Sequence, residues 1–394
     1  MTTTADVLVI GGGIAGIGAA ARIAASARVI VLEREAAIGY HSTGRSAAIF
    51  IRNYGNATLR ALNAASAPEL EMPEGISDRS LLSPRGEMMI ASEEEIPALE
   101  RHMSGAEGVE ELSPREAVDL VPILRLDRIR RAVIEHDARD IDVDRLLQGF
   151  ARLLRAQGGR IATGAETVRI ARVGGIWRVE TSSAGSFEAP VLVNAAGAWA
   201  DVVARCAGVV PVGLTPLRRS AAILPAPEGL DVSRWPLFVP ASECWYTKPV
   251  AGKLMVSPAD EDPVEPHDAW PDDMVLAEGL DRFEQATTIT VARVERTWAG
   301  LRSFVADRTP VAGFAADTEG FFWLAGQGGY GVQTSPALSH LATDLVLGRA
   351  PRLAPKVVAA LSPSRQGLTI PQAPTEAETG HCQCHPSCGG EEAG

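Results

Sequence analysis

Short apolar runs alternate with glycine turns at the start of the chain. The runs Asp6–Ile10 and Val29–Leu32 predict two buried parallel strands. The alanine-rich stretch Ile14–Ser26 between them has the composition of a helix. A strand, a glycine turn, a helix and a second strand within about thirty residues predict a βαβ unit.

Similar segments return in the middle and near the end of the chain. Helices are predicted at Leu146–Gln157 and Ser335–Leu347, and strands at Arg160–Arg172, Ile176–Thr181, Val191–Val193 and Phe321–Ala325. Residues 214–298 contain more Pro, Trp and alternating polar positions, which is typical of an antiparallel sheet with one solvated face. The pattern predicts an α/β fold in which a Rossmann-type domain is interleaved with an α+β substrate domain built on a mostly antiparallel sheet.

The predicted domain boundaries follow these changes of pattern. Residues 1–80, 140–212 and 300–365 are assigned to the discontinuous nucleotide-binding domain, and residues 81–139 and 213–299 to the substrate domain. Residues 366–394 form an acidic tail that is expected to be disordered. Its segment His381–Cys388 holds five soft ligands for zinc or copper but lacks a matching second half, so it is either a metal-binding segment or a simple appendage, and no metal site is predicted.

Composition narrows the class of protein. The chain has 394 residues, 46% of them hydrophobic, which suffices for two domains. The net charge of −12 argues against nucleic acid and anionic membrane surfaces as partners. No secretory signal and no apolar run of membrane-spanning length is recognised, so we expect a cytoplasmic protein, either a monomer or a weak oligomer.

The glycine turn after the first strand has the spacing G-x-G-x-x-G from Gly11 to Gly16. Gly11 permits the tight turn, Gly13 lets a pyrophosphate approach the backbone, and Gly16 lets the helix and strand pack closely. The helix N-terminus attracts phosphate, and Glu33 at the end of the next strand can accept hydrogen bonds from a ribose. The alternative is a glycine-rich turn without a ligand. The motif predicts a dinucleotide site and leaves NAD and FAD open.

The segment after Glu33 favours FAD over NAD. His41–Ala48 carries hydroxyl groups, one arginine and small residues, so it can line a pyrophosphate and let a flavin ring lie against the backbone. The alternative is a surface loop with capping Ser and Thr residues.

Several segments together resemble the D-amino-acid-oxidase-like flavoprotein superfamily and, within it, the bacterial D-arginine dehydrogenases. The resemblance covers about residues 5–350 and rests on the glycine turn, His41–Ala48, Tyr54-Gly55, Leu81–Met88, Val193–Trp199, Arg218–Ala221, Thr297–Asp307 and Gly326–Ser335. It implies non-covalent FAD and oxidative deamination of D-amino acids to imino acids. It also implies an electron acceptor other than oxygen, a quinone or an electron-transfer protein. Trp298–Ser303 contains no cysteine, which fits non-covalent binding.

The resemblance also implies a set of cofactor-binding residues. They are Gly11, Gly13, Ala15, Gly16, Glu33, Arg34, Ser42, Thr43, Gly44, Arg45, Ser46, Ala47, Ala48, Val168, Ala196, Gly197, Trp199, Gly328, Gly329, Gly331, Gln333 and Thr334. The loop from Gly328 leads into the helix predicted at Ser335, whose N–H groups and dipole would stabilise the reduced flavin.

The substrate residues follow from the same segments. Arg302 and Arg219 are expected to hold a substrate carboxylate, with Arg218 as the alternative to its neighbour. Tyr54 and Tyr246 are expected to hydrogen-bond to that carboxylate and cover the site. Glu87 is expected to meet a distal cationic group. Taken alone, the arginines could be surface ion pairs, the tyrosines packing residues and the glutamate a solvated residue.

Two positions depart from the family pattern. Ile49 stands where the family has His, and Ile51 where it has Thr. Isoleucine cannot accept or relay a proton beside the substrate amine, so the substrate range is expected to differ. None of the seven histidines offers an obvious replacement, and His102 is among those interpreted as surface or cap residues.

The leading functional prediction is an FAD-dependent dehydrogenase for D-amino acids, basic ones such as D-arginine or D-lysine favoured. The imino acid product would hydrolyse to a 2-oxo acid and ammonia. The alternatives are a flavin amine oxidase for another small or N-methylated amino acid, and a non-catalytic protein that binds flavin or metal.

Overall fold

A computed structural model describes residues 2–368, so the Cys- and His-containing segment at 381–388 and most of the tail that is predicted to be disordered lie outside the described residues. The strands are β1 Thr2–Thr4, β2 Val7–Ile10, β3 Val29–Leu32, β4 Ile49–Phe50, β5 Leu82–Pro84, β6 Glu87–Ala91, β7 Val109–Leu112, β8 Arg131–Glu135, β9 Arg139–Ile141, β10 Arg160–Ala162, β11 Thr167–Val173, β12 Ile176–Thr181, β13 Ser186–Ala189, β14 Val191–Asn194, β15 Thr215–Leu224, β16 Leu237–Pro240, β17 Tyr246–Val250, β18 Lys253–Ser257, β19 Arg296–Phe304, β20 Val311–Phe314 and β21 Phe321–Ala325.

The helices lie between these strands. They are α1 Ile14–Ile23, α2 Ala57–Glu71, α3 Ile96–Met103, α4 Pro114–Leu120, α5 Val143–Ala156, α6 Ala200–Cys206, α7 Asp273–Ala286, α8 Gly331–Val346 and α9 Pro355–Leu361, with 3-10 turns at Leu126–Arg128 and Gly197–Trp199. Within residues 2–368, no helix combines the length and the apolar character that crossing a membrane requires.

A six-stranded sheet with the order β10-β3-β2-β14-β21-β20 carries the glycine turn. Its strands are parallel except β20. Alternate residues of β2 enter two different cores: Val9 packs with α1, α5 and α8, whereas Leu8 packs with Trp177 and Phe187 of a four-stranded sheet, β1-β13-β12-β11. Burial of both faces explains the continuous apolar runs and confirms the Rossmann-type prediction.

The second large sheet has eight strands in the order β19-β15-β18-β17-β16-β6-β8-β7. Its pairs are antiparallel except β16 with β6, which confirms the expectation of a mostly antiparallel substrate sheet. A small sheet, β4-β9-β5, joins the two regions. Strand β19 crosses residue 300, where a domain boundary is predicted, so the division into sequence segments stays a prediction.

Helix α8 begins at Gly331, four residues before the start predicted from the sequence. Proline favours the first turn of a helix, which places a sequence-based start just before Pro336. In the structure Pro336 lies inside α8, and the Ser335 hydroxyl donates to the Val332 carbonyl oxygen at 2.9 Å. That carbonyl is the one that a residue at position 336 with an N–H would have bound.

Candidate active site

The turn between β2 and α1 can be made only with glycine at two positions. Gly11 has φ 110°, and an added Cβ would overlap the Ala195 carbonyl oxygen. A Cβ at Gly16 would overlap the Gly11 carbonyl oxygen, so Gly16 brings α1 against the turn. A Cβ at Gly13 would meet only Thr43 Oγ1, at 3.4 Å. The backbone at Gly13 therefore borders open space, where a ligand can approach.

Glu33 lies at the end of β3 with 8% of its surface exposed. Its Oε2 accepts from the Gly12 N–H at 2.6 Å and its Oε1 from the Glu35 N–H at 2.8 Å. Burial raises the pKa of this carboxyl group, and the two N–H donors oppose that effect. Each carboxylate oxygen keeps a lone pair for a ribose hydroxyl group.

A long cleft runs from this turn to the eight-stranded sheet. Sixteen of the predicted cofactor-binding residues line it: Gly11, Gly13, Ala15, Glu33, Arg34, Ser42, Thr43, Arg45, Ser46, Ala47, Ala196, Gly197, Trp199, Gly328, Gly329 and Gly331. The fold thus brings together residues from four distant stretches of the chain.

The structure does not place the other six predicted cofactor residues on this cleft. Gly16 and Gly44 pack against the backbone of Gly11 and Gly39, and Val168 is 42% exposed next to Thr167, which does line the cleft. Ala48 and Gln333 line an adjoining cavity instead. Thr334 is buried, and its N–H and hydroxyl both donate to the Tyr330 carbonyl oxygen.

Three predicted side chains line the cleft but bind protein groups. The Ser42 hydroxyl donates to the Leu301 carbonyl oxygen at 2.6 Å, and Thr43 Oγ1 accepts from the Ile14 N–H at 3.0 Å. Arg45 donates to the Ala269 and Ala299 carbonyl oxygens and pairs with Asp268. These side chains fasten segment 41–48 to β19 and α1, so the segment offers a ligand mainly its backbone.

The cleft has the features that FAD requires. Helices α1 and α8 both begin at its wall, and the first N–H groups of a helix lack intrahelical partners. Gln327, which the sequence analysis did not single out, also lines the cleft. Its buried Nε2 has no hydrogen-bond partner among the described residues. An amide donor in that state fits a cofactor with carbonyl or phosphate oxygens.

A smaller cavity adjoins the cleft and shares part of its wall, including Ser46, Ala47 and Gly329. All six predicted substrate residues line this cavity: Ile49, Tyr54, Glu87, Arg219, Tyr246 and Arg302. Those six come from β4, β6, β15, β17, β19 and the loop before α2. They span about 250 residues of sequence, and the eight-stranded sheet, the small sheet and the loop before α2 bring them to one place.

Two arginines, Arg302 and Arg219, line the cavity. Within residues 2–368, the Arg302 guanidinium makes no hydrogen bond or ion pair, whereas Arg219 donates to the Asp260 carbonyl oxygen at 2.8 Å and to Glu261 at 3.0 Å. Arg218 lies outside both the cleft and the cavity and binds Asp262. The geometry therefore places Arg219 on the cavity wall and its neighbour Arg218 outside it, and it leaves the Arg302 guanidinium available for an anion.

The two tyrosines line the same cavity. Burial raises the pKa of Tyr54, whose ring packs on Tyr330 with centroids 4.8 Å apart. Burial also acts to raise the pKa of Tyr246, but Arg302 and Arg219 outweigh it and leave that pKa below its usual value. Both phenols thus lie within the field of the arginines.

A buried acid also lines the cavity. Glu87 is 7% exposed and has no side-chain hydrogen bond within the described part of the chain. Burial, with smaller contributions from Glu135 and Glu243, raises the pKa of Glu87 to about 8. Such a group gains from a cationic or hydrogen-bonding ligand.

His102 is a cavity residue that the sequence analysis missed, having interpreted it as a surface or cap residue. It lies on α3, faces the cavity with Glu87, and burial lowers the pKa of its imidazole. The available signal was its spacing from Leu99, because residues at i and i+3 share one face of a helix and Leu99 is fully buried. The rest of the wall includes a second acid, Glu243, and the amide of Gln333, and its apolar part is formed by Ile49, Ile51, Met89, Leu237 and Val239.

A family model matches most of the chain. The model for the DAO family, described as FAD dependent oxidoreductase, matches residues 6–345. The chain belongs to this family. FAD is accordingly the cofactor, and the protein is an FAD-dependent oxidoreductase.

Individual relatives are distant. The chain is 26% identical over 208 residues to the hydrogen cyanide synthase subunit HcnC of Pseudomonas aeruginosa, and the match covers 51% of this chain and 48% of that protein. It therefore spans about half the length of that relative. Over 365 residues it is 25% identical to the glycine oxidase of Geobacillus kaustophilus, covering 88% of this chain and 94% of the relative.

The fold is shared with solved structures. L-proline dehydrogenase from P. horikoshii superposes with a TM-score of 0.79 at 20% identity, covering 92% of this chain and 98% of the other.

Proposed function

We propose that the protein is an FAD-dependent dehydrogenase for D-amino acids, with a preference for basic side chains such as those of D-arginine and D-lysine. The observation that carries the proposal is the cavity beside the FAD cleft, whose wall holds an unpaired guanidinium, that of Arg302, and a buried, unpaired carboxyl group, that of Glu87. In the proposal these two groups mark the two ends of the substrate-binding space. The D configuration follows from the sequence resemblance.

Arg302 supports the assignment of an α-carboxylate to the first end. A guanidinium offers two parallel N–H donors, which match a carboxylate. Arg219 is already held by Asp260 and Glu261, so its charge adds to the field while Arg302 provides the pairing. Tyr54 and Tyr246 can donate their hydroxyl hydrogens to the same carboxylate and cover it from water.

Glu87 supports the assignment of a cationic group to the other end. A carboxylate without a partner is costly at a buried position, and a guanidinium or ammonium group removes that cost. His102 can add a hydrogen bond to a planar distal group from the neighbouring wall. The apolar side chains between the two ends suit the methylene groups of a long side chain.

In the proposed reaction, bound FAD would accept two electrons and the Cα hydrogen of the amino acid. The chain's own residues hold the carboxylate, place Cα at the wall shared by cavity and cleft, and exclude water with their apolar surface. The substrate amine must enter the reaction neutral. Ile49 lies where the resembled family has a histidine, so no side chain at that position takes the proton. The imino acid would leave and hydrolyse to a 2-oxo acid and ammonia.

The relatives support amino acid chemistry of this kind. Glycine oxidase and L-proline dehydrogenase are both named for amino acids, and the present fold matches them over most of the chain. The electron acceptor, a quinone or an electron-transfer protein, remains part of the proposal, as does a cytoplasmic location.

Anaerobic reduction of the bound flavin tests the proposal. The FAD-loaded protein is mixed with the D and L forms of Arg, Lys, Leu and Met, and with glycine and N-methylglycine, while the visible flavin absorbance is followed. We expect D-Arg and D-Lys to bleach the flavin fastest, and an artificial dye to re-oxidise it faster than oxygen. Bleaching only by L-amino acids, glycine or N-methylglycine would overturn the assignment.

A further inference from the structure

Lys248 is a buried cation that the proposed reaction does not use. It lies on β17, two residues after Tyr246, so both side chains project from the same face of the strand. Only 5% of its surface is exposed, and it lines neither the cleft nor the cavity. A buried ammonium group needs partners for all its donors.

All three N–H donors of Lys248 have acceptors. Nζ lies 2.6 Å from the Ala47 carbonyl oxygen, 3.3 Å from the Ala48 carbonyl oxygen and 2.5 Å from Asp140 Oδ1. Because the ammonium group has three donors in total, none remains for a substrate or a cofactor. Lys248 can act on the reaction only through the groups that it holds.

The held groups form the wall between the two binding spaces. Ala47 lines both the FAD cleft and the substrate cavity, and Ala48 lines the cavity. Ala48 has φ 56°, a left-handed conformation that is unfavourable for a residue with a Cβ. Its carbonyl oxygen also accepts from the Ile141 N–H at 2.9 Å. This unfavourable turn is therefore maintained by donors from outside it.

Asp140 links the same turn to the rest of the fold. It pairs in register with Ile49, directly after Ala48, and its Oδ2 accepts from Arg85 Nε at 2.8 Å. Arg85 in turn donates to the carbonyl oxygens of Ser233 and Trp235, before β16. Lys248, Asp140 and Arg85 thus connect strands β17, β9 and the β5–β6 turn around residues 47–49.

We propose that Lys248 is a positioning residue whose ammonium group, with Asp140, fixes the Ala47–Ala48 turn and so sets the distance between bound flavin and substrate. This proposal rests on the proposed function for its kinetic consequence. A wall shared by both ligands controls their separation, and a displacement of about 1 Å can reduce turnover about a hundredfold. Lys248, Asp140 and Arg85 do not contact Arg302, which holds the carboxylate in the proposed function. The affinity for the substrate is therefore expected to be unchanged.

The test compares Lys248→Met with Lys253→Met. Lys253 is an exposed lysine on the neighbouring strand that pairs with Glu295, so it controls for the same chemical change. Activity is expressed per bound FAD, and visible circular dichroism of the bound flavin is recorded without substrate. We expect Lys248→Met to lower kcat about ten- to a hundredfold, to change KM less than about threefold and to alter the flavin dichroism. Lys253→Met should match the parent.

A second substitution distinguishes positioning from general stability. Adding Ala48→Gly to Lys248→Met removes the conformational penalty of the turn, so it should recover about fivefold or more of the lost kcat. If Lys248→Met yields no folded protein, Asp140→Asn is measured by the same two readouts and should shift both in the same direction. Unchanged kcat per FAD together with unchanged dichroism, in whichever of the two variants folds, overturns the proposal. If no amino acid reduces the parent flavin, the proposed function fails, and the dichroism alone decides the role of Lys248.

Discussion

Glu87 and Glu135 lie directly opposite each other in the antiparallel pairing of β6 and β8, and of the two side chains only that of Glu135 has hydrogen-bond donors among residues 2–368. Glu135 accepts from the Arg52 N–H at 2.7 Å and from Asn53 Nδ2 at 2.6 Å. Glu87 faces the cavity without such donors, and the neighbouring acid adds to the effect of burial in raising its pKa. One acid is therefore structural and the other is available to a ligand.

Replacing Glu87 by Leu should change the order of substrates. Removal of the carboxyl group abolishes the partner for a cationic side chain, whose burial against an apolar wall then costs several kcal/mol, whereas one methylene contact is worth about 1–3 kcal/mol. We expect the parent to prefer D-Arg and D-Lys over D-Leu and D-Met, and Glu87→Leu to narrow or reverse that preference in kcat/KM.

The exposed Glu110 on β7 provides the control, since Glu110→Leu makes the same chemical change outside the cavity. A parent that already prefers D-Leu and D-Met, together with an unchanged order in Glu87→Leu, would contradict the role assigned to Glu87.

Replacing Glu87 by Gln should stabilise the protein at alkaline pH. The pKa of Glu87 is about 8 in the folded chain and 4.5 as an ordinary carboxyl group, so the folded state binds the proton more tightly. The stabilisation that comes with this proton is complete below pH 4.5 and is lost as the pH rises towards 8, by roughly 1.4 kcal/mol per pH unit. Glutamine has no carboxyl proton to lose, so the variant does not undergo this loss of stability as the pH rises.

Thermal unfolding of the FAD-loaded proteins between pH 5 and 9 measures this effect. The Tm of Glu87→Gln should exceed that of the parent by an amount that grows with pH up to about 8 and then levels off. Glu135→Gln should instead be less stable at every pH, because an amide nitrogen would face the Arg52 or Asn53 donors at a cost of about 1–3 kcal/mol. A pH-independent difference for Glu87→Gln would argue against an unpaired acid.

Replacing Arg302 by Met should remove the carboxylate site while leaving the cofactor bound. Loss of a desolvated bidentate pair costs about 2–5 kcal/mol, so kcat/KM should fall on the order of a hundredfold or more. Arg296→Met is the matched control, because Arg296 is an exposed residue on the same strand. An efficiency of Arg302→Met within about twofold of the parent's, at full FAD content, would rule out the carboxylate assignment.

Replacing Ile49 by His should extend activity to lower pH. The substrate amine must lose its proton, and an imidazole with an ordinary pKa near 6.5 can accept it where isoleucine cannot. The ratio of kcat/KM at pH 7 to that at pH 9 should therefore rise in Ile49→His. Ile49→Gln adds polarity without a titrating group and should not raise the ratio. Equal ratios in the parent and both variants would show that residue 49 has no part in proton removal.

The sequence predicted best those strands that are buried on both faces, because burial of both faces requires a continuous apolar run. Both faces of the parallel sheet are covered, so β2, β3 and β21 are continuous apolar runs and their positions could be predicted closely. The start of α8 was placed too late, because a proline inside a helix can be tolerated when another donor, here the Ser335 hydroxyl, reaches the freed carbonyl.

The candidate site was predictable as a set of residue types, and less so as individual contacts. Arg302 and Glu87 are charged residues within matched segments, and both line the cavity. Gln333 and Thr334 were predicted to bind the cofactor, and in the structure the Gln333 side chain bonds the Ile51 N–H and Asn63 while the Thr334 hydroxyl donates to the Tyr330 carbonyl oxygen. The hydrogen-bond partner of a polar side chain depends on residues that are distant in the sequence. The roles of all these residues stay predictions.

The order of strands in the six-stranded sheet has a consequence for how the protein forms. Strand β2 pairs with β14, and β14 pairs with β21, so the sheet that carries the glycine turn joins residues 7–10 to residues 321–325. Contacts between residues this distant along the chain form slowly, because the entropy of the intervening loop is lost before the contact contributes any stabilisation. Strand β2 pairs directly with β3 and β14, so its second partner is synthesised about 180 residues later, and the sheet is complete only after β21 has followed. Until then part of the apolar surface of these strands lacks a partner, and a ligand such as FAD that binds the folded state shifts the equilibrium towards it.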